Sequence, residues 1–126
     1  MLRVRGRTSG QWRANPVNVL TVDGTRYLVA PRGVTDWVRN LRAAGTGELV
    51  VGSRVEAFAA TELADPAADH LAENDEVTIT VLRAYLRRWK WEVGQFFGGL
   101  GPDSTDDELR AIAPKHSIFR IATVSR

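Results

Sequence analysis

Cysteine is absent from the 126 residues, which removes disulfides, thiolate metal sites and cysteine nucleophiles and fits a reducing compartment. Histidine occurs only at His70 and His116, far apart and in unrelated contexts, so a zinc or histidine-based catalytic centre has little to build on. No apolar run approaches the ~20 residues that cross a bilayer, and the basic amino terminus lacks the hydrophobic stretch of a secretory signal. The chain therefore reads as cytoplasmic. Internal repeats and low-complexity tracts are also missing. The length predicts one domain, residues 1–126, with a real core and no need of staples.

Net charge is only +2, but it is unevenly placed. Residues 1–42 carry eight arginines against Asp23 and Asp36, a local +6; residues 43–82 carry −7; residues 83–126 return to +3. Segregation of this kind focuses an anionic ligand if the basic parts converge in space. A uniformly basic nucleic-acid binder would look different.

The densest basic stretch is Arg3-Val4-Arg5-Gly6-Arg7-Thr8-Ser9-Gly10-Gln11-Trp12-Arg13. An extended backbone would project Arg3, Arg5 and Arg7 from one face and turn Leu2 and Val4 toward a core. Gly6 and Gly10 would let the backbone approach a ligand and aim its N–H groups inward, as in an anion-binding nest. Guanidinium groups add the planar donors that phosphate and carboxylate prefer. The pattern fits an anion site and equally an exposed basic hairpin.

Two β-rich runs, Arg13 to Thr21 and Arg26 to Ala30, flank Val22-Asp23-Gly24-Thr25, a hairpin signal. Thr35 is placed to cap a helix from Asp36 to Ala44 closed by Gly45, with Trp37, Leu41 and Ala44 on one face. Glu48 to Val51 and Arg54 to Thr61 read as strands, and Asp65-Pro66 as the start of a short helix. Val77 to Val81 alternates like a strand but feeds a run of Leu82, Leu86, Trp89, Val93 and Phe96 at helical spacing, so the segment is read as mostly helix. Ser104 and Asp107 suggest a capping box for a helix reaching Ala113, and His116 to Val124 a closing strand.

Three motifs carry a resemblance: Gly6 through Pro16, then Val29-Ala30-Pro31-Arg32-Gly33, then Trp37-Val38-Arg39-Asn40-Leu41-Arg42. In order and approximate spacing, the sequence from Leu2 to Ile121 resembles the deazaflavin-dependent nitroreductases, also described as quinone reductases using the 8-hydroxy-5-deazaflavin coenzyme F420. The resemblance implies an α+β fold, an antiparallel split β-barrel of the flavin-reductase and pyridoxamine-oxidase kind with several flanking helices, and an actinobacterial source. Family members usually have a helix ahead of the first strand, and here the sequence opens on that strand.

Carried over by position, the resemblance implies that Arg7, Ser9, Gly10 and Arg13 meet the coenzyme's phosphate and acidic tail. Asn15 and Pro16 would lie beside the ring, Ala30, Pro31, Arg32 and Gly33 beneath it, and Trp37 and Asn40 would brace it. Each has a plainer reading: Pro16 ends a ladder, Trp37 is core, Asn40 caps or is solvated. Thr8 stands where the family commonly has lysine, and Asn18 where nitroimidazole-reducing members carry tyrosine. Asn18, Tyr85 and Trp89 are the acceptor-side candidates.

The implied activity is hydride transfer from reduced F420 to a flat, electron-poor small molecule such as a quinone, enone or nitroaromatic, with no protein nucleophile, named catalytic residue or metal. Flavin mononucleotide also offers a phosphate and a tricyclic ring, and only the resemblance ranks F420 above it. A non-catalytic carrier or sensor of either ligand is the alternative. The face of Arg83, Arg87, Arg88 and Lys90 reads as the solvated side of an amphipathic helix, with nucleic acid or weak membrane-surface contact as competing readings.

Overall fold

Inward and outward residues alternate along the first strand, β1 (Leu2–Arg5), where Leu2 and Val4 are buried while Arg3 and Arg5 face outward. The computed structural model describes residues 1–68 and 70–124. Further strands are β2 (Trp12–Asn15), β3 (Val19–Val22), β4 (Thr25–Val29), β5 (Thr46–Val51), β6 (Arg54–Glu62) and β7 (Ile118–Thr123). They form one sheet in the order β2-β1-β5-β6-β7-β4-β3, antiparallel at every pairing. The edge strands β2 and β3 are joined only by Pro16, Val17 and Asn18, so the sheet curls until its two edges face each other. This is the split half-barrel of an α+β fold.

That connection corrects the expectation of one strand from Arg13 to Thr21. Pro16 has no N–H for a ladder, and the chain leaves one edge there to begin the other. The Asp23-Gly24 hairpin forms as expected, both residues at positive φ (50° and 80°).

Three helices flank the sheet: α1 (Asp36–Ala44), α2 (Leu71–Val93) and α3 (Asp106–Ile112), with 3₁₀ turns at Gly94–Phe96 and Ala113–Lys115. Gly45 closes α1 in the left-handed region, its N–H donating to the Leu41 carbonyl at 2.8 Å. Val38 and Leu41 face the core while Ala44 is exposed, which corrects the expected face. The β-branched run at Val77 to Val81 is helical because Ile79, Val81 and Leu82 find partners under the sheet; packing overrides local preference.

Asp65-Pro66 starts a turn and no helix: the Asp65 carboxylate accepts the Ala67 N–H at 2.9 Å, which offers the backbone an alternative to helical bonding. The capping box of α3 sits one residue later than expected. Thr105 and Glu108 exchange bonds of 3.1 and 2.9 Å, while Ser104 Oγ accepts from the Gly101 N–H.

Side chains divide between two cores. Tyr27, Val29 and Ile118 point toward α2 and α3, meeting Leu82, Tyr85, Leu86, Phe97 and Leu109. Leu28, Phe119 and Ile121 point into the curl, where they meet Leu2, Val4, Leu49, Phe58 and α1. β4 is thus apolar on both faces.

Candidate functional site

The turn between β1 and β2 is built tightly around Gly6. Its N–H donates to the Gln11 carbonyl at 2.7 Å and its carbonyl accepts from Gly10 N–H at 2.8 Å. A Cβ at Gly6 would come 2.8 Å from Ser9 Oγ, so a side chain there would displace the serine hydroxyl from its place in the turn. Both glycine N–H groups are consumed within the turn, which corrects the expectation that they face a ligand.

Arg7 leaves this turn toward α1. Its backbone N–H and its Nη1 both donate to Asn40 Oδ1, at 3.1 and 2.8 Å, and its Nη2 lies 3.5 Å from Asp36 Oδ1. Asn40, buried on α1, thereby fixes the turn against the helix. Arg3, Arg5 and Arg7 do not project from one strand face, which corrects the expectation from alternation. β1 ends before Arg7, and Arg3 and Arg5 lie over the Trp12 ring at 5.0 and 4.4 Å. Arg13 makes no hydrogen bond or ion pair among the described residues. Arg7, Ser9, Arg13, Asn15 and Asn40 line a cleft of about 720 Å³ together with Trp12 and Asp36. Gly10, expected at the same site, does not line this cleft.

A second cleft, of about 520 Å³, opens where the two sheet edges meet. Pro16 and Asn18 from the edge connection, the Ala30 to Gly33 loop, Trp37 and Tyr85 all reach it, and Asn15 lines both clefts. Trp37 is half-buried, its ring 6.1 Å from that of Phe119, so it is at once core and wall. Arg32 lies 5.2 Å over Phe96 on the far rim.

The floor loop is held from behind. Ala30 N–H donates to the Ser117 carbonyl at 2.9 Å, and the Ala30 carbonyl accepts both Gly33 N–H at 3.2 Å and His116 Nδ1–H at 3.1 Å. The tautomer follows from the acceptor, since a carbonyl takes a proton and cannot give one. His116 is buried and stacked on Phe97 at 4.1 Å, and burial pushes its pKa below the ordinary 6.5 against the opposing pull of the Ala30 and Pro31 carbonyls.

At the opposite wall, burial raises the Tyr85 phenol above its ordinary pKa; a hydrogen bond with Asn18 works against that rise and the Glu92 carboxylate adds to it. The phenol is therefore neutral at pH 7 and able to donate. Trp89 does not line the cleft. It packs on Tyr85, ring centres 5.0 Å apart, and so stands behind the wall it was expected to form.

Six residues of this cleft escaped sequence reading as site residues: Val17, Val29, Thr35, Glu92, Val93 and Phe96. Thr35 Oγ1 is buried without a partner at the cleft, having made no cap bond to α1. Glu92, Val93 and Phe96 complete the wall. The helix periodicity around Tyr85 carried a signal for Val93 and Phe96; nothing in the sequence marked Thr35 as anything beyond a cap.

Residues 1–88 match the family model described as F420H(2)-dependent quinone reductase. No curated protein gives a significant match.

Proposed function

Since the chain belongs to the F420H2-dependent quinone reductase family and is an F420-dependent reductase, we propose that its two joined clefts seat the coenzyme end to end. The phosphate and acidic tail lie at Arg7 and Arg13, and the ring lies against Pro16, the Ala30 to Gly33 loop and Trp37. One observation carries this reading: a cation-lined cleft and a largely apolar-walled cleft share Asn15. A ligand with an anionic end and a flat tricyclic end needs that combination.

The residues present suit such a group. Among the described residues Arg13 is a cation without a protein partner and Thr35 Oγ1 is a buried polar atom lacking a bond, while Gly6 keeps the turn close to Ser9 Oγ. A buried hydroxyl without a partner carries a desolvation cost of about 1–3 kcal/mol, which a ring carbonyl or ring N–H would offset. Ser9 Oγ already accepts from Gln11 N–H at 3.2 Å and retains its own proton for a ligand.

When bound in reduced form, the deazaflavin supplies a hydride from its central ring carbon. The chain's own part is to bind, orient and exclude water. Tyr85, protonated and steadied by Asn18, offers a hydrogen bond to an acceptor oxygen, and Val93 and Phe96 keep that wall dry. The acceptor is a flat, electron-poor small molecule. Quinone is the class that the family's description names, and enones and nitroaromatics extend the proposal on the same chemistry.

The test is a titration of the protein with F420 followed by coenzyme fluorescence. Saturation at one equivalent is expected, with Arg13→Ala raising Kd about 10- to 100-fold, the loss of one or more charge-assisted bonds. No saturable change below millimolar coenzyme rejects the reading. Tight binding without oxidation of the reduced coenzyme by any quinone turns the chain into a carrier.

A further inference from the structure

A third cleft, of about 470 Å³, is walled by His116 and Ser117, the two residues that fasten the floor loop. It shares no lining residue with the ring cleft. Ala30 links the two spaces, because its N–H is bonded to the Ser117 carbonyl and its own carbonyl to His116 Nδ1. Whatever packs on His116 and Ser117 from this third cleft therefore bears on the floor of the ring cleft.

The lining is apolar with a balanced charge. Buried Leu63 and Ile118 contribute to it, as does Leu71, the first residue of α2, left 43% exposed. An exposed leucine beside a hollow is area that a ligand removes from water. Two cations and two acids also line the cleft, and they are already paired: Arg42 with Glu62, and Arg110 with Asp75 at 3.3 Å. A charged ligand would upset one of these pairs and give up its own hydration, so the lining selects a neutral molecule.

Two hydroxyls complete the chemistry. Ser117 Oγ accepts from Arg42 Nη2 at 2.9 Å, and its own proton has no acceptor among the described residues, so it can donate to a carbonyl oxygen. Thr78 is the reverse case. Its proton goes to the Asn74 carbonyl at 2.8 Å, which leaves its oxygen free to accept from an N–H. An apolar bed with one donor and one acceptor matches a flat ring that carries an amide.

We propose that this cleft is a second small-molecule site, taking an uncharged aromatic amide, and that its occupant stiffens the floor of the ring cleft through His116 and Ser117. The consequence for F420 rests on the coenzyme reading, whereas the site and its hold on the floor do not.

The probe is 2-naphthamide, added to the isotope-labelled full chain without coenzyme and followed by NMR. Saturable shifts are expected at the amides of Leu63, Ser117 and Ile118. Hydrogen exchange should slow at Ala30 and Gly33, whose N–H groups make the bonds of the floor. Leu71→Asp puts a carboxylate on the apolar lining while suiting the first turn of a helix, and should weaken binding about tenfold. Ser117→Ala leaves the fastening carbonyl in place and should weaken it about fivefold, the share of one hydrogen bond. In a separate titration, saturating 2-naphthamide should tighten F420 about fivefold, and F420 should tighten 2-naphthamide by the same factor.

Shifts confined to Asn18, Trp37 and Tyr85 would place the probe in the ring cleft and overturn the proposal. Binding that F420 competes away, or that is unchanged in both variants, overturns it too. So does unaltered exchange at Ala30 and Gly33 once the probe has saturated, since the floor would then not feel the occupant. If the probe behaves as expected and F420 does not bind, the coenzyme reading falls and the second site stands.

Discussion

Arg42 holds Glu62 through two parallel hydrogen bonds of 2.8 Å, Arg26 holds Glu56 at 2.8 Å, and Arg3 holds Glu48 at 3.2 Å. Each pair joins an arginine of the basic first third to an acid of the acidic middle segment. The charge separation visible in the sequence is therefore largely recombined across the sheet, because strand register sets Arg3 opposite Glu48 and composition cannot report register. Arg13 has no such partner among the described residues, and Arg7 is engaged by Asn40 and lies near Asp36. On the acceptor side, Tyr85→Phe should leave F420 affinity within about twofold while lowering kcat/KM for a quinone about tenfold, roughly 1.4 kcal/mol. Steady-state kinetics beside the fluorescence titration separates the two, and an unchanged kcat/KM removes the phenol from the reaction.

At the scale of elements, the floor loop shows why a short motif was readable and its support was not. The Ala30 to Gly33 sequence announces a break after β4. Its fastening comes from His116 and Ser117, more than eighty positions away, where local pattern gives no hint. Gly33 sits at φ +80° with a would-be Cβ 3.2 Å from the Lys115 carbonyl. Gly33→Ala should cost about 1–2 kcal/mol from the left-handed backbone alone. Thermal unfolding should register a Tm loss on the order of 5 °C, and the F420 titration a weaker complex, because the floor would shift. Equal Tm values would mean that the loop relaxes without strain. The hairpin at Asp23-Gly24, α1 with its glycine stop, and most of α2 were legible from turn chemistry and periodicity. The division of Arg13 to Thr21 into two opposite edges was not, since both halves are equally β-prone and only closure of the sheet separates them.

For the whole molecule, the two cores meet at His116, which packs under one and fastens the floor of the cleft in the other. Its folded-state pKa is lowered, so the unfolded chain binds the proton more readily and stability rises with pH. The contribution is complete above the ordinary 6.5 and is lost progressively as pH falls from there through the lower folded value. Thermal unfolding between about pH 8 and about pH 5 should show Tm falling toward acid, and His116→Gln should flatten that fall. A level wild-type profile would mean that the imidazole is not held neutral. The split-barrel class was readable because three motifs fell in order; the cleft's far wall was not, because Val93 and Phe96 reach it only through the tertiary placement of α2. The strand order carries one more consequence. β7 lies between β6 and β4, so a nascent chain leaving the ribosome holds two unjoined pieces of sheet until residues 118–123 emerge. Residues 118–123 must be made before this barrel can exist, and a stalled product lacking that strand would offer two raw edges to the chaperones.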